Sequence, residues 1–223
     1  MRSAAEDASG MFFRDRADAG QQLAGKLREY AGRPDVLVLG LPRGGVPVAF
    51  EVATALGAML DVFLVRKLGV PGHEELAMGA IASGGVRVLN REVTSGLQIP
   101  RSVIEAVSAV EQRELERRER AYRDQRPPLA VSGKTIILVD DGLATGSTMR
   151  AAAAALRQQC PARIVVAVPV AAPVICEQFR QVVDEVVCLL TPEPLYGVGF
   201  WYQDFTQTSD QDVRELLARG VRA

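Results

Sequence analysis

The most constraining feature of this sequence is a short apolar run that ends in two acidic residues and continues into a turn of small residues. Residues 135–139 have the sequence TIILV, and residues 140–148 have the sequence DDGLATGST. Short β-branched apolar runs are typical of strands that are buried on both faces of a parallel sheet. The alanine-rich segment from Met149 to about Gln158 predicts a helix. The pattern therefore predicts a strand, a turn and a helix of an α/β fold.

The predicted turn has the chemistry of a site for a phosphorylated sugar. Ligands of open α/β sheets bind beyond the carboxyl ends of the strands, where Asp140 and Asp141 would lie. The first N–H groups of the following helix lack intrahelical partners and, with the helix dipole, favour a phosphate. Ionised carboxylates only accept hydrogen bonds, so they suit sugar hydroxyls or a water bound to Mg²⁺. Together these groups indicate a ribose 5-phosphate.

Other interpretations of this turn are less complete. A Walker A loop would need a lysine that is absent here, and a dinucleotide-binding loop would need a Gly-x-Gly-x-x-Gly pattern that is also absent. A simple helix cap would explain one polar residue, but it would leave the adjacent carboxylate without a role. The cap remains the structural alternative.

A second turn of similar character occurs earlier in the chain. Residues 36–41 form another apolar run that predicts a buried strand, and Pro42, Arg43, Gly44 and Gly45 separate it from a helix predicted at about 46–56. Glycines allow backbone N–H groups to approach an anion, and the arginine offers a planar fork of donors to phosphate oxygens. The alternative is a plain strand-helix connection with a solvated arginine.

Strands and helices alternate along most of the chain, which predicts an α/β fold with a doubly wound, mostly parallel twisted sheet. Further strands are predicted at 62–65, 164–168 and 185–189. Further helices are predicted at about 17–30, 101–126, 210–219 and from residue 173, besides the alanine-rich helix that includes residues 151–155. Residues 68–90 contain many glycines and predict a long loop with an antiparallel hairpin. We expect a flexible segment at 1–10 and one domain at 11–223, with hood and loop elements at about 68–130 and 191–205.

Composition limits the classes of function. The chain has 223 residues, 48% of them hydrophobic, and a formal net charge of −1, so nothing in its overall charge points to nucleic acid or a membrane as a partner. Cys160, Cys176 and Cys188 are widely spaced, which favours buried thiols in a reducing compartment over a disulfide framework or a zinc site. Without a bilayer-spanning run or a signal-peptide core at residues 1–10, we expect a cytoplasmic protein.

At the acidic turn the chain resembles the type I phosphoribosyltransferases, and the pattern Asp-Asp-x-x-Ala-Thr-Gly-x-Thr is closest to the adenine-type members. Ala144 stands where the 6-oxopurine enzymes have an aspartate that handles a ring proton, which speaks against that mechanism. From Met11 onward the chain also resembles a little-characterised bacterial subgroup of these enzymes. The segments that carry this likeness are 12–16, 42–45, 66–69, 75–80, 140–146 and 202–205.

The resemblance implies a site for phosphoribosyl pyrophosphate and a base-like acceptor, with Mg²⁺ as cofactor. Asp140 and Asp141 would meet the ribose 2- and 3-hydroxyls and would hold Mg²⁺ only indirectly, through water or those hydroxyls. The 5-phosphate would lie on Ala144, Thr145, Gly146, Ser147 and Thr148, and the pyrophosphate on Pro42, Arg43, Gly44 and Gly45, with the cis peptide bond that is frequent in the family at Pro42-Arg43.

Further candidates lie in two segments that the resemblance marks as variable. The family often has a mobile loop near residues 66–79, where Lys67 would reach pyrophosphate and Glu75 would stabilise cationic charge or orient a base; either is equally well interpreted as a solvated surface residue. Tyr202, with Tyr196, Phe200 or Trp201, would stack on an acceptor base, or these rings would instead pack the hood onto the core or form a dimer contact.

The leading hypothesis is a magnesium-dependent phosphoribosyltransferase of nucleotide salvage, in which Asp140, Asp141, Arg43, Lys67 and Glu75 support the chemistry. A sensor that binds phosphoribosyl pyrophosphate without transfer and a sugar-phosphate hydrolase remain alternatives. A Ser-His-Asp hydrolase is disfavoured because His73 is the only histidine and no Gly-x-Ser-x-Gly turn accompanies it. The mixed charges of the helix predicted at 101–126 indicate an ion-paired solvated face or a subunit contact, as in a homodimer.

Overall fold

The structure is a computed structural model that describes residues 12–123, 127 and 130–220. The flexible segment predicted at 1–10 and the last three residues of the helix predicted at 101–126 lie outside this part of the chain.

Five parallel strands form the central sheet, in the order β2-β1-β6-β7-β8. Their bounds are β1 (Val36–Gly40), β2 (Met59–Val62), β6 (Thr135–Val139), β7 (Arg163–Val170) and β8 (Glu185–Leu190). Chain order runs outward in both directions from the β1-β6 pair, so the sheet has its topological switch point between these two strands. The predicted doubly wound, mostly parallel sheet is confirmed.

Seven α-helices are described: α1 (Arg16–Lys26), α2 (Gly45–Leu56), α3 (Arg91–Gly96), α4 (Arg101–Arg123), α5 (Ser147–Gln158), α6 (Pro173–Arg180) and α7 (Asp210–Arg219). The terminal helix has the predicted bounds, whereas the helix predicted at 17–30 ends at Lys26 and is followed by a short 3-10 turn. Helix α3 was not predicted. None of the described helices combines the length and the apolar character that crossing a bilayer requires.

The apolar residues of β6 explain why the sheet is covered on both faces. Ile137 and Val139 belong to the core formed with α1, α2, α4 and α7. Ile136 and Leu138 belong to the opposite core, where they pack with residues of α5 and α6. Because successive side chains of a strand point to opposite faces, a continuous apolar run supplies both cores.

A second sheet of three antiparallel strands confirms the antiparallel hairpin predicted within residues 68–90 and corrects the long loop predicted beside it. It consists of β3 (Val65–Val70), β4 (His73–Ala82) and β5 (Val86–Leu89), so most of the predicted long loop is paired strand, and the strand predicted at 62–65 covers the end of β2 and the start of β3. The glycines that suggested a loop have local roles: Gly69 lies at a register shift of the β3-β4 pair, and Gly72 turns the chain with φ of 80°.

Candidate functional site

The two predicted turns lie side by side at the carboxyl edge of the central sheet. Strands β1 and β6 pair in parallel with Gly40 opposite Val139, and the N–H of Leu41 donates to the carbonyl of Val139 over 2.9 Å. The turns therefore leave adjacent strands at the topological switch point, where open α/β sheets bind their ligands.

Gly44 and Gly45 bring the first turn into direct contact with the second. A Cβ atom on Gly44 would overlap Oδ2 of Asp141, and one on Gly45 would lie 2.7 Å from the carbonyl oxygen of Val139 and 2.8 Å from Cα of Asp140. No larger residue fits at either position without separating the turns. The Pro42-Arg43 peptide bond is cis, as the resemblance implied.

The two carboxylates of the second turn have different surroundings. Oδ1 of Asp140 accepts the N–H of Asp141 at 2.9 Å, and Oδ2 of Asp141 accepts Nε of Arg16 at 2.8 Å. Burial and then the charge of Asp141 raise the pKa of Asp140 well above its usual range. Burial also raises the pKa of Asp141, but the Arg16 guanidinium opposes this shift. Asp141 is therefore the more readily ionised carboxyl of the pair.

Arg16 is a residue of the site that the sequence analysis did not identify. Its NH1 donates to the carbonyl of Thr206 at 2.8 Å, and its guanidinium stacks over the ring of Phe205 at 3.9 Å. Only 11% of its side chain is exposed. Arg16 thus connects Asp141 with the segment that follows the hood, across 125 residues of sequence. The segment 12–16, which carries part of the family likeness, contains Arg16, but the sequence did not indicate this role because the partners of Arg16 are distant along the chain.

The segment 144–148 forms an open loop at the start of α5. Gly146 has φ of 70°, and a Cβ atom on it would lie 2.6 Å from the ring of Phe179 on α6. Thr145 and Ser147 are exposed, their hydroxyls are 3.1 Å apart, and Thr145 Oγ1 accepts the N–H of Ser147 at 3.4 Å. The loop therefore presents hydroxyls and helix N-terminal amides to solvent, which is the arrangement expected of an anion site.

Arg43 extends from the first turn toward α7. Its NH1 is 3.7 Å from Oδ1 of Asp210, which also accepts the hydroxyl of Tyr122 at 2.7 Å. Burial and this hydrogen bond raise the pKa of Tyr122 to about 12. The Arg43 side chain is 38% exposed and that of Asp210 is 55% exposed, so this ion pair is open to solvent and weak.

The candidates at 66–79 lie on strands and not on a loop. Lys67 is an exposed residue of β3 and lines, with Ser147 and Arg150, a cavity of about 350 Å³ between the antiparallel sheet and α5. Lys67 and the loop at 144–148 thus face the same cavity, through Ser147. Glu75 and His73 are exposed on β4 close to the β3-β4 turn. The roles predicted for Lys67 and Glu75 stay predictions.

Tyr202 has a buried ring and a defined partner. Its hydroxyl donates to the carbonyl of Asp141 at 2.6 Å, and its ring packs against Phe13 and Phe205 with centroids 5.3 and 5.0 Å away. Through this hydrogen bond Tyr202 connects the hood (residues 191–205) to the acidic turn. The predicted contact of Tyr202 with substrate stays a prediction. Tyr196 and Phe200 are 79% and 54% exposed, and their ring centroids lie 5.4 Å apart. These two rings form the accessible aromatic surface of the hood.

We expect Asp140→Asn to raise the melting temperature at neutral pH. The pKa of Asp140 is higher in the folded protein than in the unfolded chain. The folded state therefore loses stability as the pH rises from the ordinary pKa of an aspartate through the raised pKa of Asp140. Asparagine has no charge to bury and keeps the oxygen that accepts the N–H of Asp141. We therefore expect a higher melting temperature for the variant than for the wild type in thermal denaturation at pH 7.

The same comparison at low pH is the control for this prediction. Below the ordinary pKa of an aspartate, Asp140 is protonated in both the folded and the unfolded state, so the difference in melting temperature should shrink toward zero there. A difference that is equal at both pH values, or a variant that is less stable at pH 7, would contradict the proposed cause.

The carboxylates of the site suit a magnesium ion for which water and substrate supply most of the ligands. Asp140 and Asp141 supply carboxylate oxygens, and one of those oxygens is already engaged by Arg16. Among the described residues there is no group of three or more histidine, cysteine or acidic side chains that could enclose a metal. Mg²⁺ in phosphate-binding sites is commonly held by one or two carboxylates together with substrate oxygens.

Comparisons with known proteins agree with this geometry. The family model described as "Phosphoribosyl transferase domain" matches residues 71–189, slightly more than half of the chain, including the acidic turn. Rv0571c of Mycobacterium tuberculosis H37Rv, named as a provisional phosphoribosyl transferase, is 48% identical over 210 residues, which cover 94% of this chain and 47% of that protein. The chain therefore spans about half the length of this relative.

Two further relatives were found. A bifunctional protein PyrR of Chloroflexus aurantiacus is 35% identical over 129 residues, which cover 56% of this chain and 65% of that protein. The crystal structure of TT1426 from Thermus thermophilus superposes with a TM-score of 0.85 at 44% identity, covering 95% of this chain and 100% of that one.

Proposed function

The chain belongs to the phosphoribosyl transferase family, and we propose that it transfers the ribose 5-phosphate of phosphoribosyl pyrophosphate to a nitrogenous base and releases pyrophosphate. The observation that supports this most strongly is the direct contact of the two turns at the switch point, through Gly44 and Asp141. The cationic turn and the acidic turn with its loop therefore leave neighbouring strands at one edge of the sheet. This arrangement suits one ligand that has phosphate at two ends and hydroxyls between them.

We assign each part of phosphoribosyl pyrophosphate to the residues whose chemistry suits it. The loop at 144–148 binds the 5-phosphate through its hydroxyls and the N-terminal amides of α5. Asp140 and Asp141 accept hydrogen bonds from the ribose hydroxyls, and the Arg43 turn binds the pyrophosphate. With both ends held, C1 of the ribose is fixed for attack by a ring nitrogen. Positioning of this kind is a major source of rate enhancement in two-substrate reactions.

The charges of the turns support a transition state with oxocarbenium character. As the bond from C1 to pyrophosphate lengthens, positive charge develops on the ribose and negative charge on the leaving group. The buried carboxylates stabilise the former, and Arg43 with the N–H groups of its turn stabilises the latter. Mg²⁺ bound to the pyrophosphate would neutralise further negative charge, and Asp140 and Asp141 would hold its waters.

The acceptor site is proposed at the hood. Tyr196 and Phe200 are exposed there and offer ring faces on which a flat base can stack. Tyr202 holds the hood to Asp141, and the hood is therefore tied to the donor side of the site. Nucleotide salvage in the cytoplasm is the setting that fits an enzyme of this kind, and a homodimer remains part of the proposal.

A screen for pyrophosphate release tests the transfer reaction. Purified protein with phosphoribosyl pyrophosphate and Mg²⁺ is incubated with single purine, pyrimidine and pyridine bases, with Asp140→Asn/Asp141→Asn as the control. Release that depends on one base and is lost in the control is the expected result. Tight donor binding without release for any base would favour a sensor. Slow release without any base would favour a hydrolase, and either result would contradict transfer.

A further inference from the structure

Two cysteines are in contact between the helix α6 and the edge strand β8. Cys176 belongs to α6 and Cys188 to β8, and their Sγ atoms are 2.7 Å apart, although all three cysteines of the chain are free thiols. Cys176 is buried, whereas Cys188 is partly exposed, so a small oxidant can reach the pair from the Cys188 side. Cys160 is exposed and distant in sequence, which makes it an internal control.

The helix that bears Cys176 also supports the phosphate loop. A Cβ atom on Gly146 would lie 2.6 Å from the ring of Phe179 and 3.3 Å from Cγ2 of Ile175, so these side chains of α6 lie directly under the loop. Phe179 is fully buried. Close-packed interiors transmit small displacements, and a movement of α6 toward β8 must therefore change the packing beneath Gly146.

The electrostatics of the pair favour its oxidation. The hydrogen bond from Cys188, assisted by the charge of Arg180, lowers the pKa of the Cys176 thiol to about 7, and burial opposes that shift. The pKa of Cys188 is raised, first by the same hydrogen bond and then by burial. The lowered pKa of Cys176 favours its thiolate form, and the thiolate is the nucleophile in reactions with peroxides.

We propose that Cys176 and Cys188 form a reversible disulfide with peroxide-class oxidants, and that this bond weakens phosphate binding by the adjacent loop. One sulfur attacks hydrogen peroxide and becomes a sulfenic acid as the first water forms; the other thiol then displaces hydroxide from it, and the second water leaves as the disulfide forms. Both cysteines are oxidised and the peroxide is reduced to two waters. The effect on the loop rests on the proposed function, whereas formation of the bond does not.

Mass spectrometry of the intact protein tests bond formation. In the Cys160→Ser background, treatment with hydrogen peroxide should lower the mass by that of two hydrogen atoms, and dithiothreitol should restore it. Peptide mapping should connect the segments that contain Cys176 and Cys188. Cys160→Ser/Cys188→Ser, which lacks the second thiol of the pair, should not lose the two hydrogens. Failure of the Cys160→Ser protein to lose the two hydrogens would overturn the proposal.

Titration calorimetry then tests the coupling to the loop. Reduced and oxidised Cys160→Ser protein are titrated with phosphoribosyl pyrophosphate and Mg²⁺, and oxidation should weaken affinity at least about threefold, because the packing under Gly146 changes. The peroxide-treated Cys160→Ser/Cys188→Ser protein should keep its affinity. Equal affinities of the reduced and oxidised forms would overturn the coupling. No binding by the reduced protein would instead contradict the proposed function and would leave the mass result standing.

Discussion

Gly44→Ala is expected to weaken binding of phosphoribosyl pyrophosphate by about 100-fold, because each hydrogen bond lost to a charged ligand group costs about 1.5–3 kcal/mol and tenfold in affinity is about 1.4 kcal/mol. The added methyl group would overlap Oδ2 of Asp141 and lie 3.2 Å from Nε of Arg16. Neither atom can move without breaking a hydrogen bond, because Nε of Arg16 donates to Oδ2 of Asp141 at 2.8 Å. Either the Asp141 carboxylate must rotate away from Arg16 or the turns must separate, and in both cases a ligand that requires both turns will lose one set of contacts. Titration calorimetry with Mg²⁺ measures the change.

Gly25→Ala is the matched control for this variant. Gly25 lies inside α1, and a Cβ atom there has no neighbour within 4 Å. The control should bind the donor like the wild type and should be slightly more stable, because alanine favours helix over glycine by about 1 kcal/mol. An affinity of Gly44→Ala within about threefold of the wild type would mean that the contact between the turns is not needed for the donor.

Arg16→Met is expected to lower the free energy of unfolding by about 3 kcal/mol, the lower end of the range for breaking a buried ion pair. The side chains of Arg16 and Asp141 are only 11% and 16% exposed, so the remaining carboxylate would be buried without its cation. The variant also loses the hydrogen bond to Thr206 and the stacking on Phe205. A melting temperature about 6–12 °C lower is expected at neutral pH.

A double-mutant cycle identifies the cause of this loss. Adding Asp141→Asn to Arg16→Met removes the unpaired charge and should restore at least about half of the stability. Arg14→Met is the matched control, because Arg14 is 71% exposed and pairs with Asp18 four residues away, a kind of pair worth less than about 1 kcal/mol. If Asp141→Asn restores nothing, the loss in Arg16→Met comes from packing and not from the carboxylate.

The sequence predicted those parts of the site in which a strand or helix and the functional side chains lie in the same short segment. The two turns follow buried apolar strands, and the register of a parallel sheet then brings their ends together, as Gly40 opposite Val139 demonstrates. The helix that begins at Ser147 was expected from the alanines after it and the small polar residues before it. For these elements the short-range pattern was sufficient.

The remaining features depend on contacts between distant parts of the chain. Arg16 is an ordinary helix residue until folding brings it to Asp141, and Tyr202 reaches the same turn from the hood. The glycines at 69 and 72 indicated a loop because breakers are common in loops, but bulges and tight turns of an antiparallel sheet use the same residues. Tertiary pairing decided between these outcomes.

The central claim is that the acidic pair and the Arg43 turn bind one molecule of phosphoribosyl pyrophosphate. The most direct measurement is titration calorimetry of that donor with Mg²⁺ into the wild type and into Asp140→Asn/Asp141→Asn, after thermal denaturation has established that both are folded. The account predicts saturable binding at one site per chain in the wild type and no measurable binding in the variant. Equal heats in the two proteins would contradict it.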